Sequence, residues 1–291
     1  LKLADRTLLV AYTVTLAAAV SVAWIVSAEH PIKAVFVADV AATCVIFAFS
    51  LAWRNSSFYD PYWSVVPPLI AAYWLLVSDA SGVDPLRSAL LLALVATWAV
   101  RLTYNWYRGW GGLAHEDWRY RDIREKTGRA YWPVSFVGIH MLPTILVFLG
   151  CLPMYAALAI GTRPFGWLDG FATCWTAAAI WLEARADREL VEYRKSKPLP
   201  GRTLTTGVWR FSRHPNYFGE IAFWWGLAFF GIAAAPEWWW SAVGAVMITL
   251  MFRFISLKLI EARMSASRSD YADYVATTSR IVPWWSKAPD R

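Results

Sequence analysis

Charge is scarce in this sequence: Asp, Glu, Lys and Arg together make up 17% of its 291 residues, against roughly a quarter in an ordinary soluble domain. The deficit excludes a disordered chain and a conventional cytosolic enzyme. Cysteine is scarce too. Cys44, Cys151 and Cys174 are odd in number, lie inside apolar runs and match no metal-ligand spacing, so neither a disulfide framework nor a thiolate site is expected. A G-x-G-x-x-G turn between strand and helix is missing: Gly109, Gly111 and Gly112 form a loop cluster with no strand before them, which argues against a Rossmann domain. His115, Glu116 and Asp117 are adjacent and cannot all face one ion. No metal is expected, and these three read as a loop hydrogen-bond network.

What is abundant is apolar and aromatic surface: 58% hydrophobic residues, including 20 Trp, 13 Tyr and 15 Phe, with a mean hydropathy of +0.37. A bilayer admits only helices or closed barrels. Apolar runs of about twenty residues, rather than short alternating strands, select helices. The expected fold is all-α, a polytopic integral membrane helical bundle in a single membrane domain, 1–291. Eight segments are legible, near 8–27, 34–53, 62–78, 86–106, 132–161, 167–184, 217–235 and 237–257. The third is short, and Pro67-Pro68 is expected to break it near its start. The fifth is long enough to tilt, or to hold a kink near Pro143 or Pro153. The last two form a hairpin closed at Pro236 and Glu237.

The basic residues test this count. With eight transmembrane helices and the N-terminus cytoplasmic, 25 of the 28 Lys and Arg fall on the cytoplasmic side, and Lys33, Arg87 and Arg163 fall outside. The positive-inside rule therefore favours eight spans with both termini cytoplasmic. Segment one ends in Val26-Ser27-Ala28 like a signal peptide, but its apolar stretch exceeds the usual roughly 7–15 residues, and a retained span is expected. The net charge of +7 follows from this topology and from attraction to anionic headgroups, and calls for no nucleic acid.

Polar sequence is concentrated in three expected cytoplasmic stretches, 107–131, 185–216 and 258–291. Mid-span ionisable residues look nearly absent, His140 being the main exception, whereas a transporter would carry more of them. The chemistry is expected near the cytoplasmic face, on a lipid-soluble small molecule reached from the bilayer, with membrane lipids as neighbours. At helical spacing Glu183, Asp187 and Arg194 share one face of a helix continuing the sixth span; taken alone, they are better explained as a solvated helix end with offsetting charges. Pro215 fits the first turn of the next helix, with Ser212 or His214 near its cap. Its free N–H groups, beside Arg210 and Arg213, suit a phosphate, or a capped interfacial helix whose arginines meet headgroups. Asn216 and Glu220 share a face of that helix. No feature of the sequence specifies an oligomeric state.

The run Arg213-His214-Pro215-Asn216-Tyr217-Phe218-Gly219-Glu220, with Glu261, Tyr271, Tyr274, Arg280 and Pro283 in the tail, resembles the signature of a membrane superfamily. It includes steroid 5-alpha-reductases, sterol reductases and isoprenylcysteine or phospholipid methyltransferases. Ser57 to Trp63, Glu116 to Tyr120 and Asn216 to Glu220 are most similar to the bacterial steroid 5-alpha-reductase-like branch. The resemblance covers about residues 50–285.

It implies NADPH-dependent reduction of a carbon–carbon double bond conjugated to a carbonyl in a steroid-like lipid, in a bacterial inner membrane with the active site facing the cytoplasm. Hydride goes to the β-carbon, and a nearby acid must hydrogen-bond the carbonyl oxygen. The implied cofactor residues are Asp187 and Arg194, seven apart, with Asn216 and Glu220 at the nicotinamide side. Arg213, His214 and Tyr217 belong to the same motif, and Lys258, Glu261 and Tyr274 to a tail closing over the nucleotide. On the substrate side it implies Asp60 with Tyr59 or Tyr62 beside it, and Tyr104 as a candidate partner tyrosine, because Trp98 occupies the nearest aligned position. The Tyr59 to Trp63 run also fits an interfacial aromatic belt. Residues 1–165 would then be mainly substrate-side and 166–291 mainly cofactor-side.

A second reading is an S-adenosylmethionine-dependent methyltransferase, since the His-Pro-x-Tyr-x-Gly element and the tail are shared. NADPH favours Arg and Lys, whereas a sulfonium favours carboxylates and aromatic faces. Glu261 followed by Ala262 instead of a second Glu, together with Asp187, Arg194 and Glu220, favours the reductase. A non-enzymatic lipid-binding or scaffold protein ranks third.

Overall fold

In a computed structural model of the chain, residues 3–78 and 82–285 are described. Among them every regular element is helical. The first four are α1 (Leu3–Ile25), α2 (Pro31–Ala52), α3 (Tyr62–Leu76) and α4 (Pro85–Gly109). Two starts are written locally. His30 Nδ1 accepts from Ile32 N–H ahead of Pro31, and Asp84 Oδ1 accepts from the Leu86 and Arg87 N–H groups ahead of Pro85, the expected combination of N-cap acceptor and proline at the first turn. Pro67 and Pro68 do not break the third segment as expected: α3 runs through both. Its Ile70, Ala71 and Trp74 are buried in the main core, and that packing holds the helix where local propensity opposes it.

The chain continues through α5 (Trp118–Thr127), α6 (Tyr131–Val134) and α7 (Leu142–Tyr155). Wide π-type turns at Ser135–Met141 and Ala156–Ile160 flank α7, close to Pro143 and Pro153, whose missing N–H groups remove ladder bonds there. The rest consists of α8 (Trp167–Lys195), α9 (Pro215–Ala234), α10 (Val243–Met251), α11 (Leu257–Ser267) and α12 (Tyr271–Thr277).

Six stretches are long and apolar enough to cross a membrane: α1, α2, α4, the continuous run Trp118–Ile160, α9, and the run Pro236–Ser267. The chain is an integral membrane protein. The other two expected spans are helical but stand outside that group, α3 at 15 residues and α8 with a charged run from Glu183 onward.

Mid-span ionisable residues are few, as expected, but His140 is joined by Asp39, the ninth residue of α2, while Arg87, Asp169, Glu183 and Glu220 are buried nearer the ends of the membrane segments. Arg87 and Asp169 form a two-point ion pair at 2.6 and 3.0 Å that ties α4 to α8. His140 bonds Ser50 Oγ and the Ser135 carbonyl, each at 3.0 Å, and is a satisfied packing residue. The core is built from α7 and α9 with Trp98 of α4, and α8 lies along α9. The close approach of α8 and α9 requires glycine: a Cβ on Gly219 would sit 2.8 Å from Glu183 Cβ and 2.9 Å from the Ala179 carbonyl oxygen. Small residues at such crossings are how membrane helices come together.

Candidate active site

A cavity of ≈ 450 Å³ opens among the ends of α3, α4, α5, α8, α9 and α10. Its polar lining comes from Tyr59 and Asp60 ahead of α3, Asn105 and Trp106 on α4, Asp117, Arg119 and Tyr120 at α5, Glu183 and Asp187 on α8, and Asn216, Tyr217 and Glu220 on α9. Leu142, Leu146 and Ile248 are among the apolar walls. Both halves of the chain contribute.

Asp60 is held from two sides. Tyr120 OH donates to its Oδ1 at 2.6 Å and Trp106 Nε1 to its Oδ2 at 3.3 Å. Burial pushes the Asp60 carboxyl up to about 6, against the lowering effects of the Tyr120 hydrogen bond and the Arg119 charge. Tyr120 reaches Asp60 because two loops are knitted together. Asn55 Nδ2 donates to the Leu113 and His115 carbonyls, Glu116 accepts from Ser56 N–H, and Ser57 Oγ accepts from Asp117 N–H. Asp117 then caps α5 through Arg119 N–H and binds the Arg119 guanidinium at 2.8 Å. Burial raises the Asp117 carboxyl, but that guanidinium outweighs it and the net shift is downward. Tyr59 is 2% exposed and shares a hydrogen bond with Thr144 Oγ1. Tyr104 is 59% exposed and does not line the cavity. The tyrosine on Asp60 is Tyr120.

The opposite wall is organised by Arg101, which meets Glu183 Oε2 at 2.6 Å and Asp187 Oδ2 at 3.0 Å. Asp187 also accepts from Asn105 and Asn216. Glu220 is gripped by two indoles, Trp98 Nε1 at 2.9 Å and Trp224 Nε1 at 2.8 Å. Trp98 therefore does not stand in for a substrate tyrosine: its ring stacks on Phe223 at 4.3 Å while its N–H positions Glu220. Arg194 shares the helix with Asp187 but is exposed beyond the cavity, as is Lys258. Among the lining residues, five are carboxylates (Asp60, Asp117, Glu183, Asp187, Glu220) and one, Arg119, is basic.

The remaining motif residues form a separate cluster. Glu261 accepts from Arg213 and Arg280, each at 2.9 Å, and its Oε1 lies 3.3 Å from His214 Nε2. Arg213 also donates to the Val275 carbonyl. Tyr274 OH donates to the Trp209 and Ser212 carbonyls. Arg213 N–H bonds the Ser279 carbonyl, and Ser212 Oγ the Ile281 carbonyl. Burial holds His214 below its ordinary value, against the raising effect of Glu261. These groups strap the tail across the start of α9 and none lines the cavity. Asn216 Oδ1 takes the Tyr217 N–H, so one free N–H of that helix start is spent internally.

Of the residues the resemblance implied, the fold gathers Tyr59, Asp60, Asp187, Asn216, Tyr217 and Glu220 around one cavity. Arg194, Lys258 and Tyr104 stand outside it, and Arg213, His214, Glu261 and Tyr274 form the strap. Tyr120, Arg119, Arg101 and Trp98 were missed as site residues. Tyr120 and Arg119 lie in a run already similar to the family. Arg101 was legible only as a topological charge.

No solved structure matches the chain. A Schizosaccharomyces pombe protein described as uncharacterised is 27% identical over 214 residues, an alignment covering 66% of this chain and 62% of that relative. The chain thus spans less than two thirds of that relative's length. The model of a family described as proteins of unknown function, DUF1295, matches residues 46–278, a region that holds every lining residue named above, and the chain belongs to that family.

Proposed function

We propose that the protein reduces a carbon–carbon double bond conjugated to a carbonyl in a lipid-soluble molecule, using NADPH from the cytosol. The observation that carries this reading is the Asp60–Tyr120 pair, 2.6 Å apart, facing a cavity whose far wall is Asp187, Asn216 and Glu220. Bound NADPH would supply the hydride that adds to the β-carbon. The donor set fits its uncharged end: Asn216 offers an amide, and Asp187 and Glu220 offer acceptors to a carboxamide and a ribose. The phosphates would meet Arg194 and Lys258, exposed at the cytoplasmic rim.

The chain's own task is to handle the charge that develops on the carbonyl oxygen. In its protonated form, which burial favours by raising the carboxyl to about 6, Asp60 would donate a proton to that oxygen, while Tyr120 keeps the carboxyl oriented. Water then gives a proton to the α-carbon and is left as hydroxide, while the enol O–H proton returns to the Asp60 carboxylate, so the products are the saturated ketone and a re-protonated Asp60. In this reading the chain crosses a bacterial plasma membrane eight times with both termini cytoplasmic, and the cavity lies at the inner leaflet, open to a substrate dissolved in the bilayer.

One observation favours a second reading. Five carboxylates and several aromatic faces, with a single basic side chain, make a lining suited to the sulfonium of S-adenosylmethionine, hence to a methyltransferase. Thermal shift of detergent-purified protein with NADPH, NADH and S-adenosylmethionine side by side separates the two, because a ligand that binds the native state stabilises it. A selective rise with NADPH supports the reductase; a rise with S-adenosylmethionine alone replaces it.

A further inference from the structure

A second cavity lies across a wall formed by Tyr59 and Tyr62, whose rings stack at 5.2 Å. Tyr59 faces the Asp60 cavity and Tyr62 the second one, a space of ≈ 300 Å³ among α1, α2 and α3. Its walls are almost entirely apolar. Leu16, Val20 and Leu69 line it and are exposed on the outside of the bundle, so entry is sideways from the hydrocarbon of the bilayer.

Two polar residues in this lining stand out. Asp39 is 5% exposed and Thr15 is 4% exposed. Tyr62 OH donates to Asp39 Oδ1 at 2.6 Å, whereas Asp39 Oδ2 and Thr15 Oγ1 have no partner among the described residues. Asp39 is the ninth residue of α2, about 12 Å along its axis, and therefore beyond the reach of either interface. An ionisable side chain left half-satisfied at that depth is expensive and marks a place where something binds.

We infer that this cavity binds a membrane-soluble alcohol, an apolar chain or ring system whose hydroxyl meets Asp39 Oδ2 beside Thr15 Oγ1. A hydroxyl both donates and accepts, so it completes Asp39 in either protonation state. A ketone or ester only accepts. An ammonium would carry charge to mid-span depth, and a phospholipid keeps its charged head at the interface. The apolar walls match the rest of the ligand. This inference is independent of the reaction assigned to the Asp60 cavity.

The test is photolabelling of the full chain in lipid nanodiscs with a diazirine-bearing farnesol. Labelling is expected on peptides covering 12–23, 35–42 and 62–73. Unlabelled farnesol should compete about tenfold better than the hydrocarbon farnesene at equal mole fraction, the worth of one buried hydrogen bond. Asp39→Leu and Thr15→Val should each lower labelling of these peptides, and Asp39→Asn, which still donates and accepts, should retain most of it. Melting curves establish that each variant is folded. If Asp39→Leu does not fold, Thr15→Val and the competitor pair still decide. Equal competition by farnesene, stronger competition by farnesylamine, or labelling indifferent to both substitutions would overturn the proposal.

Discussion

Two polar clusters stand at the helix ends, and they differ in how completely their carboxylates are enclosed. Around Glu261, Arg213 and Arg280 supply donors to both carboxylate oxygens, His214 packs against one of them, and Tyr274 bonds two carbonyls of the neighbouring segment. Around Asp60, Asp187 and Glu220 the groups are oriented by Tyr120, Arg101 and Trp98 but still face open space. A cluster whose carboxylate is enclosed by its donors holds structure, whereas one that is oriented but still open to a cavity can hold a ligand. Motif membership does not separate the two; hydrogen-bond accounting does.

Substitutions can break that contrast. The largest effect is expected at the strap: Glu261→Ala removes the carboxylate that Arg213 and Arg280 share and should cost about 3 kcal/mol of stability, read as a lowered Tm with binding of every ligand reduced alike. In the cavity, Tyr120→Phe should lower kcat about a hundredfold with Tm nearly unchanged. An unaltered kcat in the folded variant removes Tyr120 from the mechanism. Tyr104→Phe is the control and should change neither quantity.

A pH series sharpens the same contrast. Asp60 is raised from 3.8 to about 6, so the folded protein prefers it protonated. Its contribution to stability is complete below about pH 4, declines as the pH rises through 4 to 6, and is absent above that window. Comparing Tm of the native chain and Asp60→Asn from pH 4 to 7.5 measures this, and equal slopes would mean Asp60 is not raised. The smallest effect is expected at Arg194→Ala. This exposed cation should raise the KM for NADPH by no more than about fivefold, with kcat unchanged.

The helices were legible because the lipid-facing requirement is written residue by residue. The run near 34–53 became Pro31–Ala52, 86–106 became Pro85–Gly109, and 217–235 became Pro215–Ala234. Pro67-Pro68 misled because local propensity yields to core packing. Asp39 was missed for a related reason: it sits in an apolar run that looks like lipid-facing sequence, yet it turns inward toward Tyr62.

Composition alone therefore dictated an all-helical membrane chain, its approximate spans and a concentration of polar groups in three stretches, since hydrophobic transfer and backbone satisfaction act on local sequence. Which of those polar groups share a cavity depended on the packing of distant helices. Tyr120 meets Asp60 across two knitted loops, Gly219 lets Glu183 and Glu220 come together, and Arg101 finds Asp187 from another helix. Such pairings are set by close contact between segments far apart in the chain, and no local pattern encodes them.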